Sequence, residues 1–165
     1  MLVSQAARAS CFDASALAKL YVNESGSGVL RKYFGHEPTK YTTPFCYFET
    51  LTLLKVMCFY RKIIADDEYH NAVFDLTAWF GAFSEELPDI KLTSPIVLHD
   101  AQQLARKHEL DLSDAFQILS VKSGYFSRLT AGSQTILCTA DGRLATAARR
   151  EGLRVWNLMT EPMPS

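Results

Sequence analysis

A chain of 165 residues, 48% apolar and 21% charged, is long enough for one domain with a substantial core. Its net charge of −1 excludes a general electrostatic affinity for nucleic acid, so such a partner must be held by local basic groups or by metal. No apolar run is long enough to span a bilayer, and the N-terminus MLVSQAARAS lacks an apolar h-region. No membrane association and a cytoplasmic location are therefore the expectation.

In chain order, residues 1–8 read as a disordered lead-in and 9–12 as a short apolar strand. Residues 15–22 read as a helix with Leu17, Leu20 and Tyr21 on one side. Gly26 and Gly28 break it before a second short helix over 29–34. The β-branched and aromatic stretch 41–43 reads as a strand, and Pro44 opens a helix running to about residue 63. A further amphipathic helix spans 66–83, with Tyr69, Val73, Leu76 and Phe80 at helical spacing. Then come a strand over 90–93 and a helix over 95–108 with Val97, Ala101, Leu104 and Ala105 inward. A helix over 112–126 is apolar over much of its circumference, which places it centrally. The run TILCT gives a buried strand over 135–139, followed by a helix over 142–151 and a last strand over 153–156. Residues 161–165, with two prolines, read as a disordered tail. Alternation of strands and helices predicts an α/β fold with a central, mostly parallel sheet flanked by helices.

Cys11, Cys46, Cys58 and Cys138 show no zinc-type spacing and read as free thiols, with Cys11 and Cys138 in buried strands. His36, His70, His99 and His108 are scattered and read as surface or capping residues. Two basic groups, Lys55, Arg61 and Lys62, and Arg143, Arg149 and Arg150, read first as solvated helix faces.

Four carboxylates carry the chemical signal: Asp13, Glu49, Asp114 and Asp141. Asp13 in CFDAS and Asp141 in CTADG directly follow predicted strands, where parallel sheets put their ligands. Each could equally cap the helix behind it. Asp114 stands three residues after Asp111, which also fits a capping box. Glu49 falls among Phe45, Cys46, Thr52 and Leu53 on the expected inward stripe of its helix, with no Lys or Arg one turn away. A buried carboxylate without a partner is costly. Several converging carboxylates repel one another unless a divalent cation joins them. The set therefore predicts an acidic, metal-loaded pocket, with phosphodiester chemistry as its leading use.

In order along the chain, FDASALAKLYVNESGS, PFCYFETLTLL, LDLSDAFQILSV and TILCTADGRLATAARREGLRVWNL resemble the four acidic elements of PIN domains of the VapC toxin type. The resemblance runs from about residue 10 to 158, as one domain. It implies a PIN-like fold similar to the 5′-nuclease superfamily, a three-layer α/β/α arrangement. It also implies a Mg²⁺- or Mn²⁺-dependent endoribonuclease with Asp13, Glu49, Asp114 and Asp141 as catalytic and metal-holding residues. Ser15 and Thr139 would orient those carboxylates or bound water. A small cognate antitoxin and a homodimer are implied as partners, with RNA as substrate. The chain departs from the pattern in its extended N-terminus and in the aromatic-rich stretch 74–89.

Two alternatives stand beside this. A phosphatase with an Asp nucleophile would want a second Asp where Ser15 stands. A non-catalytic PIN-like module binding nucleic acid or protein would use the four acids only as caps. For interfaces, Tyr33, Phe34, Phe59, Tyr60, Trp79 and Phe80 are expected on helices near the surface, and those left exposed would mark a contact patch.

Overall fold

The computed structural model describes residues 8–37, 39–84, 91, 93–128 and 135–165. Strand β1 (Ser10–Phe12) leads into helices α1 (Ala14–Tyr21) and α2 (Ser27–His36), and strand β2 (Lys40–Tyr41) into α3 (Pro44–Lys55). Helices α4 (Asp66–Ser84), α5 (Pro95–His108) and α6 (Leu112–Ser123) follow. Strand β3 (Ile136–Thr139), helix α7 (Gly142–Arg150) and strand β4 (Arg154–Asn157) complete the chain. The four strands form one sheet in the order β2-β1-β3-β4, and every pairing is parallel.

Side-chain alternation on these strands divides the core into two layers. Phe12, Ile136, Cys138 and Trp156 face helices α1 to α4, where Leu17, Leu30, Leu54 and Leu76 are fully buried. Cys11, Tyr41 and Leu137 face α6 and α7, with Ile118, Val121, Leu144 and Ala148. A parallel sheet covered on both faces is a three-layer α/β/α arrangement, and its strands read as continuous apolar runs for that reason. No disulfide joins the four buried cysteines.

Several boundaries differ from the sequence expectation for identifiable reasons. Helix α2 starts at Ser27 because Gly26 adopts φ 87 and serves as its cap, and Gly28 is absorbed into the first turn. A Cβ on Gly26 would meet Leu158 Cδ1 at 2.6 Å, so a larger residue would also have to displace that side chain. The long helix from Pro44 becomes a π-helix over Val56–Tyr60, where the Arg61 amide donates to the Val56 carbonyl. The extra residue in that turn turns Cys58 inward and leaves Phe59 and Tyr60 exposed. The strand expected over 90–93 does not form at Lys91 or Thr93, and the other two residues lie outside those described.

The C-terminal residues do not behave as a free tail. The Glu161 carboxylate accepts from the Asn157 amide at 3.0 Å and pairs with Arg149, and Arg8 donates to the Ser165 carbonyl at 2.7 Å. Residues 1–7 of the expected lead-in lie outside those described, whereas Arg8 is anchored to Glu37 at 2.7 Å. Two histidines also differ from expectation or gain definition. His108 is buried against Glu151 at 2.7 Å, where Lys107 and Lys122 also bind, and His36 sits at the end of α2 against the Lys32 carbonyl. Among the six aromatics expected near the surface, Tyr33 is buried, while Phe34 and Trp79 pack against the core. Phe59 and Tyr60 are exposed, as are Phe48 and Phe74.

Among the described residues, no helix is long and apolar enough to cross a membrane.

Candidate acidic site

Strand β1 has β2 on one side and β3 on the other, so the strand order reverses between β1 and β3. Open parallel sheets place their ligand crevice at the carboxyl ends of the strands flanking such a reversal. Asp13 follows β1 there, and Thr139 ends β3 beside it, with the Asp13 amide donating to the Cys138 carbonyl at 3.1 Å.

Asp13 is buried, and its carboxylate is fully engaged. It caps α1 by accepting from the Ala16 amide at 2.8 Å. The Ser15 hydroxyl reaches both carboxylate oxygens, at 2.9 and 2.8 Å, and the Thr139 hydroxyl donates at 2.6 Å. Ser15 in turn accepts from the Ala140 amide, and Thr139 from the Asp141 amide. These two hydroxyls thus lock Asp13 to the loop that carries Asp141. Burial still raises the Asp13 carboxyl to about 6, against the lowering effect of its hydrogen bonds. Asp141 caps α7, accepting from the amides of Arg143 at 2.6 Å and Leu144 at 3.2 Å. Both strand-end acids are therefore caps, at the carboxyl ends of the adjacent strands β1 and β3.

Asp114 lies in the first turn of α6 and is partly buried. Burial, then the charges of Asp13, Glu49, Asp141 and Asp111, push its carboxyl up to about 7. That coupling brings all four sequence-identified acids into one electrostatic cluster. Asp111 occupies the cap position of α6 but makes no capping hydrogen bond through its side chain, so the capping-box reading does not hold for it.

Glu49 corrects the reasoning that singled it out. The buried stripe of α3 is Cys46, Thr50 and Leu54, and Glu49 is exposed beside it. Thr50 fits this stripe because its hydroxyl donates to the Cys46 carbonyl at 2.6 Å, which hides its polarity. Thr52, expected inward, is exposed and donates to the Phe48 carbonyl. Partial desolvation raises the Glu49 carboxyl, a hydrogen bond from Ser113 lowers it, and the charges of Asp111 and Asp141 raise it. Glu49 therefore stands at the mouth of the cluster. The unfavourable burial inferred for it belongs to Asp13.

Asp111 and Ser113 are the residues that sequence reasoning missed. The signal was Asp111 three positions before Asp114, there read as helix capping. Among the described residues, no lysine, arginine or histidine forms an ion pair with any of the four acids. The donor set, carboxylate oxygens in a partly desolvated crevice, fits a hard divalent cation in its chemistry. As they stand, no three Asp, Glu, His or Cys side chains among the described residues are gathered around one point.

No family model matches the chain, and no curated protein matches it. Among solved structures it is similar to a Pyrobaculum aerophilum protein, PAE2754, with a TM-score of 0.56 and 17% identity. The likeness covers 89% of this chain and 90% of that one, and at this identity it establishes a shared fold.

Proposed function

We propose that the chain is a PIN-like, Mg²⁺- or Mn²⁺-dependent endoribonuclease, the toxin member of a VapC-type toxin–antitoxin pair. One observation supports the reading: Asp13 and Asp141 follow adjacent strands at the sheet's reversal point, the charges of Asp13, Glu49 and Asp141 reach Asp114, and among the described residues none of the four acids has a basic ion-pair partner. The ordered PIN-like motifs supply the substrate class. Asp13, Glu49, Asp114 and Asp141 would hold the ion. A bound Mg²⁺ or Mn²⁺ supplies the counter-charge and Lewis acidity that phosphodiester hydrolysis needs.

The chain's own groups orient and charge the site. Ser15 and Thr139 fix the Asp13 carboxylate, and both are satisfied by backbone amides of the β3 loop. Ser113 steadies Glu49 at the open side, where a phosphate can approach. Asp13 and Asp114 hold protons to about 6 and about 7, so cation affinity rises across that range as the protons leave. The local net charge is negative, which leaves RNA attraction to the cation and to exposed basic groups such as Arg143.

A second reading is a non-catalytic PIN-like module that binds nucleic acid or protein. It is favoured by the capping roles of Asp13 and Asp141 at the starts of α1 and α7. Incubation of purified protein with structured and unstructured RNAs decides between the two. Cleavage that requires Mn²⁺ or Mg²⁺, stops with chelator and is lost in Glu49→Gln supports the enzyme. Binding without cleavage at any metal concentration supports the module.

A further inference from the structure

Gln117 is fully buried in α6, an unusual place for an amide. Its oxygen accepts from the Thr43 hydroxyl at 2.9 Å and from the Cys46 thiol at 3.1 Å, and its nitrogen donates to Cys11 Sγ at 3.0 Å. Gln117 and these partners lie on three elements, β1, α3 and α6, that carry or directly precede acids. Cys11 is two residues before Asp13, Cys46 is one turn before Glu49, and Gln117 is one turn after Asp114. Thr43 is the cap of α3, accepting from the Cys46 amide at 3.3 Å, so the amide grips that helix at its origin.

Cys46 confirms how close this knot lies to the crevice. Burial raises its thiol, and the charges of Asp13 and Glu49 raise it further. An apolar contact between the same helices, the Phe45 and Phe116 rings at 5.1 Å, sets their spacing but not their rotation or slide. Directional hydrogen bonds do fix those degrees of freedom, and a buried network that is fully satisfied specifies one arrangement.

We infer that Gln117 is a positioning residue of the acidic site, a side chain that ties β1, α3 and α6 to one another and so sets the mutual approach of Asp13, Glu49 and Asp114. The inference rests on the proposed metal-dependent function for its consequence, but its geometric content stands separately. Loss of the amide strands the buried Thr43 hydroxyl and Cys46 thiol without their acceptor, and the carboxylates lose their register.

The test compares wild type with Gln117→Leu and Gln117→Met, which keep the volume close. Mn²⁺ binding is read by calorimetry, and the Glu49–Asp114 carboxylate separation by crystal structures of the metal-free proteins. The expected result is a lowered melting temperature in a protein that still folds, Mn²⁺ affinity about tenfold or more weaker, the range typical of groups that orient metal ligands, and a changed carboxylate separation. Unchanged affinity with unchanged separation in a folded variant overturns the inference. If wild type binds no Mn²⁺, the functional proposal fails, and the separation alone decides this one. If both variants fail to fold, Cys11→Ala, which removes the partner of the amide nitrogen, takes their place under the same criteria.

Discussion

Removing the charge of Asp13 is expected to stabilise the metal-free protein near neutral pH. Burial raises this carboxyl from its ordinary 3.8 to about 6, so the folded state favours the protonated form. The stabilisation from that form is complete below about pH 4 and is lost as pH rises through 6. A rise of roughly 2 pH units, at about 1.36 kcal/mol each, amounts to about 3 kcal/mol lost by pH 8. Asp13→Asn avoids that loss, but it weakens the hydrogen bonds from Ser15 and Thr139, each worth about 1 kcal/mol. The net gain is therefore about 1 kcal/mol, or roughly 2–4 °C for a chain of this size. Thermal unfolding in EDTA from pH 4 to 8 measures it. The variant should melt higher than wild type at pH 8, and the order should reverse at pH 4, where the ionisation penalty is absent and only the weakened hydrogen bonds count. With saturating Mn²⁺ the order should invert, because the wild type gains more from the ion. A variant less stable than wild type in EDTA at pH 8 would refute the reasoning, since it would mean that Asp13 is held charged by its caps alone.

Glu49→Gln should abolish metal-dependent RNA cleavage while shifting stability by no more than about 0.5 kcal/mol, because the side chain is exposed; activity and melting curves check both. Glu151, held down to about 2 by Lys107, Lys122 and His108, contributes stability that is present above its ordinary 4.5 and lost as pH falls toward 2. Glu151→Gln should cost about 1–3 kcal/mol at pH 7 by urea unfolding, with the deficit shrinking in acid. The exposed apolar residues Phe48, Phe59, Tyr60 and Phe74 on α3, its π-helical extension and α4 are expected to serve the proposed homodimer or antitoxin contact. Light scattering should show a dimer that Tyr60→Lys weakens. Expression alone should inhibit host growth, and co-expression of the adjacent small open reading frame should relieve it.

The sheet and most helices were legible because their signals are local. Pro95 and His108 bound α5 at both ends, and the apolar runs around Cys11 and Leu137 predict strands covered on two faces. Asp13 and Asp141 were legible as acids behind strands, and Ser15 and Thr139 entered through the PIN-like resemblance. What stayed hidden depends on rotation and on contacts distant in sequence. The helical phase of α3 is set by Thr50 hiding its hydroxyl against the Cys46 carbonyl, and hydrophobicity does not encode that choice. The π-turn at Val56–Tyr60 adds one residue without any glycine or proline to announce it. Gln117 meets Cys11 across 106 positions, a pairing no local pattern can show. Asp111 reaches Glu49 only once α6 is docked against α3.

The most direct test of the central claim is an anomalous diffraction map from crystals soaked in Mn²⁺ near pH 8, where Asp13 and Asp114 have shed their protons. The account predicts a manganese peak within ligand distance of at least two of Asp13, Glu49, Asp114 and Asp141, absent in Asp114→Asn crystals treated identically. A well-occupied site elsewhere with none at this crevice, or a lysine or arginine drawn in to neutralise the four acids, would contradict it.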